Sequence, residues 1–183
     1  VLMSRSSVVY GPFSIVWGLG CMLLTAVLYR QKDKSDGNIF IAGTLLGGAY
    51  EYLCSVFTEL VFGTVFWDYS GFAFNLGGRI NLLYCFFWGI AAVVWLKLIY
   101  PRLSALIEKI PVKVGPVLCN IMIVFMIFNM LISAAALSRY TARHTDADAF
   151  SNPNAITEFL DTHFTDQRME RIYPNAKIVD EKN

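Results

Sequence analysis

Charged side chains make up only 16% of these 183 residues, and long stretches carry none. Residues 6–29, 37–50, 80–96 and 114–138 contain no Asp, Glu, Lys or Arg. That shortage, with a mean hydropathy of +0.50, lies outside the usual range of a soluble domain of this size. Histidine is scarce as well: His144 and His163 are the only two, and neither stands beside an obvious nucleophile. The nucleotide-binding pattern G-x-x-x-x-G-K-[ST] is missing, as are H-E-x-x-H and G-x-S-x-G. No enzyme is therefore expected, although an intramembrane acid–base reaction at Glu51 or Asp68 stays open. The four cysteines, Cys21, Cys54, Cys85 and Cys119, show no metal-ligand spacing, so no zinc site, disulfide framework or cofactor is expected. They read as small apolar packing residues. A net charge of +1 without a clustered basic face argues against nucleic acid as a partner.

What the sequence has is apolar runs. A helix needs about 20 mostly apolar residues to cross a hydrocarbon core roughly 30 Å thick. Four such segments are predicted, around 10–30, 38–62, 80–100 and 114–138. The runs do not alternate, which disfavours the strands of a closed barrel. The expected fold class is an all-α integral membrane protein. Residues 1–138 form its transmembrane bundle and 139–183 a soluble tail. The opening run is too long for a signal peptide and lacks a small-residue cleavage site.

The spans carry few but patterned polar groups. Pro12 in YGPF fits the first turn of a helix, where its missing N–H costs nothing. In the second span Gly43, Gly47, Glu51, Ser55 and Glu59 recur every fourth residue, near one helix face. The glycines permit close backbone approach and the carboxylates should avoid lipid, so this face is predicted to point into the bundle. Pro101 is expected to end the third span. A short interfacial helix over 102–110 should follow, with Leu103, Leu106, Ile107 and Ile110 on one side and Arg102, Glu108 and Lys109 away from it. Asn120, Asn129 and Ser133 are the clearly polar side chains of the fourth span.

The last 45 residues hold eight acidic and six basic side chains. Asn152 before Pro153 predicts a helix start, with Ile156, Phe159, Leu160 and Phe164 on one face and a second turn presenting Met169 and Ile172. This tail is too small for a core of its own and should dock. For orientation, Arg5, Arg79, Arg139 and Arg143 lie on one side of the spans. Arg30, Lys32, Lys34, Lys97, Arg102, Lys109 and Lys113 lie on the other, which favours that second side as cytoplasmic.

Glu51 sits about 20 Å along its helix from Asn38, within the hydrocarbon. A charge there costs at least ~2.5–3.5 kcal/mol and needs a partner, water or a proton. Two readings stand: a proton-linked or cation-binding carboxylate in a pathway, or a carboxyl that ties helices together. Glu59, Asp68 and Arg79 map to one membrane surface. Arg79 is expected to pair with Glu59 or Asp68 and lock the glycine-bearing segment 67–80, WDYSGFAFNLGGRI, over the bundle. The alternative leaves Arg79 to bind an anionic substrate or headgroup. Trp67 and Tyr69 suit an interfacial aromatic belt, Asn75 belongs to the same loop, and Gly77 and Gly78 read as a turn.

Three segments carry a family resemblance: YGPFSIVWGLG, EYLCSVFTELVFGTVFWDYSGFAFNLGGRINLLYCFFWG and EFLDTHFTDQRMERIYPNAKIV. In this order they resemble the Putative ABC-transporter type IV family of bacteria, also called CmpB-like ABC transporter permeases. The resemblance implies a multi-pass protein of the cell membrane, with one more hydrophobic helix before the YGPF element than the nine residues VLMSRSSVV supply here. The sequence also departs from the family by showing SIVWG where PIYG is common. The function implied is a permease-like transport component without its own ATPase. Its partners would be the bilayer and a separate ATPase subunit or a second copy. The alternative is a membrane scaffold or sensor that presents its tail to a partner protein.

Overall fold

The computed structural model describes residues 7–145 and 153–179 and is built mainly of helices. Among the described residues three helices are long and apolar enough to cross a membrane. They are α2 (Asp36–Phe62), a continuous helix over Leu82–Ile107, and α5 (Val114–Thr145). Asp36 sits in the first turn of α2, where a carboxylate meets the positive end of the helix dipole. Lys97 Nζ lies 3.3 Å from that carboxylate.

The first of the four expected spans is not of crossing length. Helix α1 covers Ile15–Leu28, only 14 residues, and a 3₁₀ turn adds Tyr29–Gln31. Residues 10–13 stay irregular, so Pro12 lies outside the helix rather than in its first turn, and Gly11 takes φ +78°. The reason is in α5. Asn129, fully buried, donates from Nδ2 to the Tyr10 carbonyl at 2.7 Å and accepts the Tyr10 N–H at 3.2 Å. Ser133 Oγ accepts the Val9 N–H at 2.9 Å. Backbone groups held this way cannot also join a helical ladder.

A second correction concerns Pro101. The helix was expected to stop there and an interfacial helix to follow over 102–110. Instead α3 (Leu82–Val94) runs through a π-helical turn (Trp95–Ile99) into α4 (Tyr100–Ile107). Proline removes one helical bond and its ring crowds the preceding turn. A wider turn just before it relieves both problems. Arg102 Nη1 also donates to the Leu98 carbonyl at 2.8 Å.

The described residues pack as two compact units. One draws on 16–54 and 68–123. Its core is Leu24, Leu28, Ile39, Trp88, Ala92 and Leu96. The other draws on the described residues within 7–15, 55–67, 124–145 and 153–179, with a core of Val9, Ala136, Leu137, Leu160, Phe164, Met169 and Tyr173. In this second unit β1 (Thr64–Val65) pairs antiparallel with β4 (Lys177–Ile178).

The tail forms α6 (Ala155–His163) and α7 (Asp166–Ile172). Asn152, expected to start it, lies outside the described residues, as does Arg5 of the charge count. The cap is Asn154: its Oδ1 accepts from the Ile156 and Thr157 N–H groups at 3.0 Å each, and Thr157 Oγ1 accepts the Asn154 N–H at 2.9 Å. Of the expected apolar face, Leu160 and Phe164 are buried, but Ile156 and Phe159 are 70% and 44% exposed. The helix packs through its last turn, and Phe159 stacks on the exposed His163 ring instead.

Candidate functional site

The α2–α3 contact is lined by glycine. Gly43 lies against Ala92 and Gly89, and Gly47 against the Trp88 ring, so that a Cβ at either would overlap its neighbour. Trp88 fills the space this leaves. It stacks on Trp17 at 5.0 Å between ring centroids and meets Tyr50 edge-on at 5.7 Å. Gly20 makes room on α1, since a Cβ there would stand 2.9 Å from the same indole. Small residues on one helix thus seat one large aromatic on another, giving close backbone approach without a void.

Glu51 lies one turn beyond Gly47 on α2 and is 7% exposed. Both of its oxygens are occupied. The Tyr69 hydroxyl donates to Oε1 at 2.8 Å, and the Trp88 indole N–H donates to Oε2 at 3.1 Å. Tyr69 is itself clamped, its ring stacked on Tyr84 at 4.6 Å with Phe72 edge-on at 6.1 Å. Burial, then the adjacent Glu51 carboxylate, push the Tyr69 hydroxyl above the usual phenol range and keep it a donor. Ser55, a further turn along α2, is 2% exposed, so the predicted Gly43–Gly47–Glu51–Ser55 face is buried throughout.

The loop that delivers Tyr69 is tied by its own side chains. Asn75 Oδ1 accepts the Gly78 N–H at 2.9 Å and its Nδ2 donates to the Phe72 carbonyl at 2.7 Å. Asp68 Oδ1 accepts the Ser70 N–H at 2.9 Å, and the Tyr69 N–H donates to the Gly78 carbonyl at 2.8 Å. A two-stranded hairpin follows, β2 (Asn75–Leu76) with β3 (Ile80–Asn81). Its turn places Gly77 and Gly78 at φ +59° and +68°, a conformation that suits glycine and that the tight hairpin requires. Asn81 then caps α3, accepting the Leu83 N–H at 2.9 Å while its Nδ2 donates to the Ala73 carbonyl at 2.6 Å.

Of the residues singled out from sequence, Glu51, Asp68, Tyr69, Asn75 and Arg79 fall in one unit, and Glu59 and Trp67 in the other. Tyr69 reaches Glu51 directly. The Arg79 guanidinium carbon lies 6.0 Å from the centre of the Tyr52 ring. Sequence reasoning missed Trp88, the second donor to Glu51, and Tyr84, the ring that positions Tyr69. The signal for Trp88 was available: a buried carboxylate needs donors, and an indole N–H beside Gly89 on the next span is one.

The other unit carries a separate polar cluster. Arg139 grips Asp161 with two bonds, Nε to Oδ1 at 2.9 Å and Nη2 to Oδ2 at 2.6 Å. Arg143 donates to Asp161 at 2.7 Å, from Nε to Asp166 at 2.8 Å and to the Phe164 carbonyl at 2.9 Å. These two arginines, read from sequence only as topological charges, bind the start of α7 and the end of α6 to α5. Hydrogen bonds from Arg139 and Arg143 hold the Asp161 carboxyl below its ordinary range against the opposing effect of burial. Burial pushes the Tyr173 hydroxyl up to about 12. Among the described residues, no cluster of three or more His, Cys, Asp or Glu could hold a metal ion.

The sequence model of one family, described as Putative ABC-transporter type IV, matches residues 2–134. The chain belongs to this family. The match takes in the glycine-lined contact, Glu51 and the whole 67–80 loop. It stops short of the tail segment that begins at Glu158. No curated protein and no solved structure matches the chain. With three helices of crossing length, family membership makes this a membrane protein of a transport-related family.

Proposed function

We propose that the chain is a multi-pass, permease-like component of a transport system in the bacterial cell membrane, working with a separate ATPase subunit rather than as an enzyme itself. The family match over residues 2–134 carries this reading. Within it Glu51 acts as a tie between α2, Trp88 and the Tyr69 loop and not as a proton carrier. Support comes from the two neutral donors that occupy both carboxylate oxygens. Arg79 belongs to the same device, pairing with a carboxylate to lock the loop. Membrane vesicles prepared with and without the chain, energised with ATP and compared by untargeted mass spectrometry, test the proposal. At least one solute should lose its ATP-dependent accumulation when the chain is absent.

A second reading is a scaffold or sensor that presents its tail to a partner. The closed packing around Glu51 and the arginine-clamped tail favour it. Unchanged vesicle contents, together with loss of a tail-bound protein on removing the chain, would decide for the scaffold.

A further inference from the structure

Two grooves of the first-described unit share a wall, the Tyr100 ring. The larger, of about 530 Å³, is bordered by Gly18, Met22 and Thr25 of α1 and by Trp95. The smaller, of about 190 Å³, is bordered by Tyr29, Lys32, Ser104 and Glu108. On α1, its 3₁₀ extension and the Lys32 cap that follows, Gly18, Met22, Thr25, Tyr29 and Lys32 follow each other at steps of three and four, a stripe along one side. The stripe changes character along its length. Its larger part is apolar, and the Thr25 hydroxyl there is already used, accepting from Trp95 Nε1 at 2.8 Å and donating to the Cys21 carbonyl at 2.7 Å. Its far end is polar. Lys32 Nζ, 3.0 Å from the Tyr29 hydroxyl, shares a pocket with Glu108, whose Oε1 accepts from Ser104 Oγ at 3.1 Å.

The dimensions match one lipid leaflet. From Gly18 to Leu28 α1 rises ~15 Å, half of a hydrocarbon core of roughly 30 Å. With Gly18 set at the bilayer midplane, the polar end falls where headgroups lie. Lys32, Lys34, Lys97 and Arg102 gather at that same end of the chain's spans. One cation and one carboxylate lining one small pocket complement a phosphate and an ammonium together. A headgroup with a phosphate but no ammonium would leave Glu108 without a cationic partner, and a soluble ligand would leave the apolar groove unused.

We propose that this stripe of α1, with Tyr100 and α4, binds one phospholipid bearing a phosphoethanolamine headgroup. An acyl chain fills the apolar groove, the phosphate meets Lys32 and the ammonium meets Glu108. Gly18 gives a clean way to close the groove, because nothing lies within 4 Å of a Cβ built there and a larger side chain meets no neighbour.

Native mass spectrometry of the intact protein, purified in mild detergent and offered equal phosphatidylethanolamine and phosphatidylglycerol, tests the site. The wild type should retain phosphatidylethanolamine over phosphatidylglycerol by roughly three- to ten-fold, the scale of one charge-assisted contact. Gly18→Leu should lose the bound lipid while its thermal stability in lipid-free detergent holds or rises. Glu108→Lys, at an exposed position, should invert the preference toward phosphatidylglycerol. Glycerophosphoethanolamine, which has the headgroup but no chains, should displace nothing. Equal retention of both lipids, a lipid that survives Gly18→Leu, an unchanged preference in Glu108→Lys, or displacement by the chainless headgroup would each overturn the proposal. So would a protein that co-purifies through the groove in place of lipid.

Discussion

Replacing Glu51 with glutamine separates the two roles a buried carboxylate can play. Glutamine keeps the shape of the side chain and can still satisfy both neighbours. Its carbonyl accepts the Trp88 N–H, now 3.1 Å from Oε2, and its amide donates to the Tyr69 oxygen, now 2.8 Å from Oε1. A phenol can accept as well as donate, so both neighbours keep a hydrogen bond to residue 51. Two charge-assisted bonds become neutral ones, which should cost about 1 kcal/mol. Leucine at the same position removes both acceptors and strands the hydroxyl and the indole N–H, each at about 1–3 kcal/mol. The expected order is therefore wild type, then Glu51→Gln slightly below it, then Glu51→Leu far below. Thermal unfolding in detergent, followed by tryptophan fluorescence, reads this directly. Transport in Glu51→Gln should persist at near-normal rates, because a tie does not need its proton. A glutamine variant that folds as well as wild type yet transports nothing would refute the reasoning and restore the proton-pathway role.

Gly47→Ala should be destabilised by about 1–3 kcal/mol, since the methyl meets the packed Trp88 ring, and the loss should show in thermal unfolding. Asn129→Leu should release the backbone at Tyr10, exposing its amide to hydrogen exchange at a rate typical of a frayed segment, while Val9 keeps its bond to Ser133. The Asp161 carboxyl titrates below its ordinary range, so the tail clamp is fully present above the usual carboxylate pKa of ~3.9 and is lost as pH falls through the lower folded value. Exchange in α6 and α7 should accordingly stay slow at pH 5 and rise only under stronger acid. Arg79→Ala should lower thermal stability and accumulation sharply, and Arg79→Lys should restore only part, because an ammonium lacks the guanidinium fork; unchanged stability with lost activity would make Arg79 an anion-binding residue.

The parts of the fold that were legible in the sequence are those set by local composition. Uncharged runs marked α2, the helix beginning at Leu82 and α5, and the four-residue spacing of Gly43, Gly47, Glu51 and Ser55 marked a buried face. What stayed hidden depends on distant partners. Nothing near Tyr10 says that Asn129, 119 residues away, will take its backbone bonds and shorten the first helix. Pro101 reads as a stop, and only the π turn before it lets the helix continue. Glu51 was visible as a group in need of donors, but Trp88 lies 37 residues further on and Tyr69 in a loop whose path is set by Asn75, Gly77 and Gly78. Arg139 and Arg143 look like ordinary flanking charges until α6 and α7 bring Asp161 and Asp166 to them.

Purification of the intact chain from its native membrane, in a detergent mild enough to keep subunits together, tests the central claim most directly. The account predicts a co-purifying nucleotide-hydrolysing subunit and an ATPase activity that leaves with that subunit when the two are separated. Recovery of the folded chain with no ATPase, from membranes where its proposed transport is active, would contradict it.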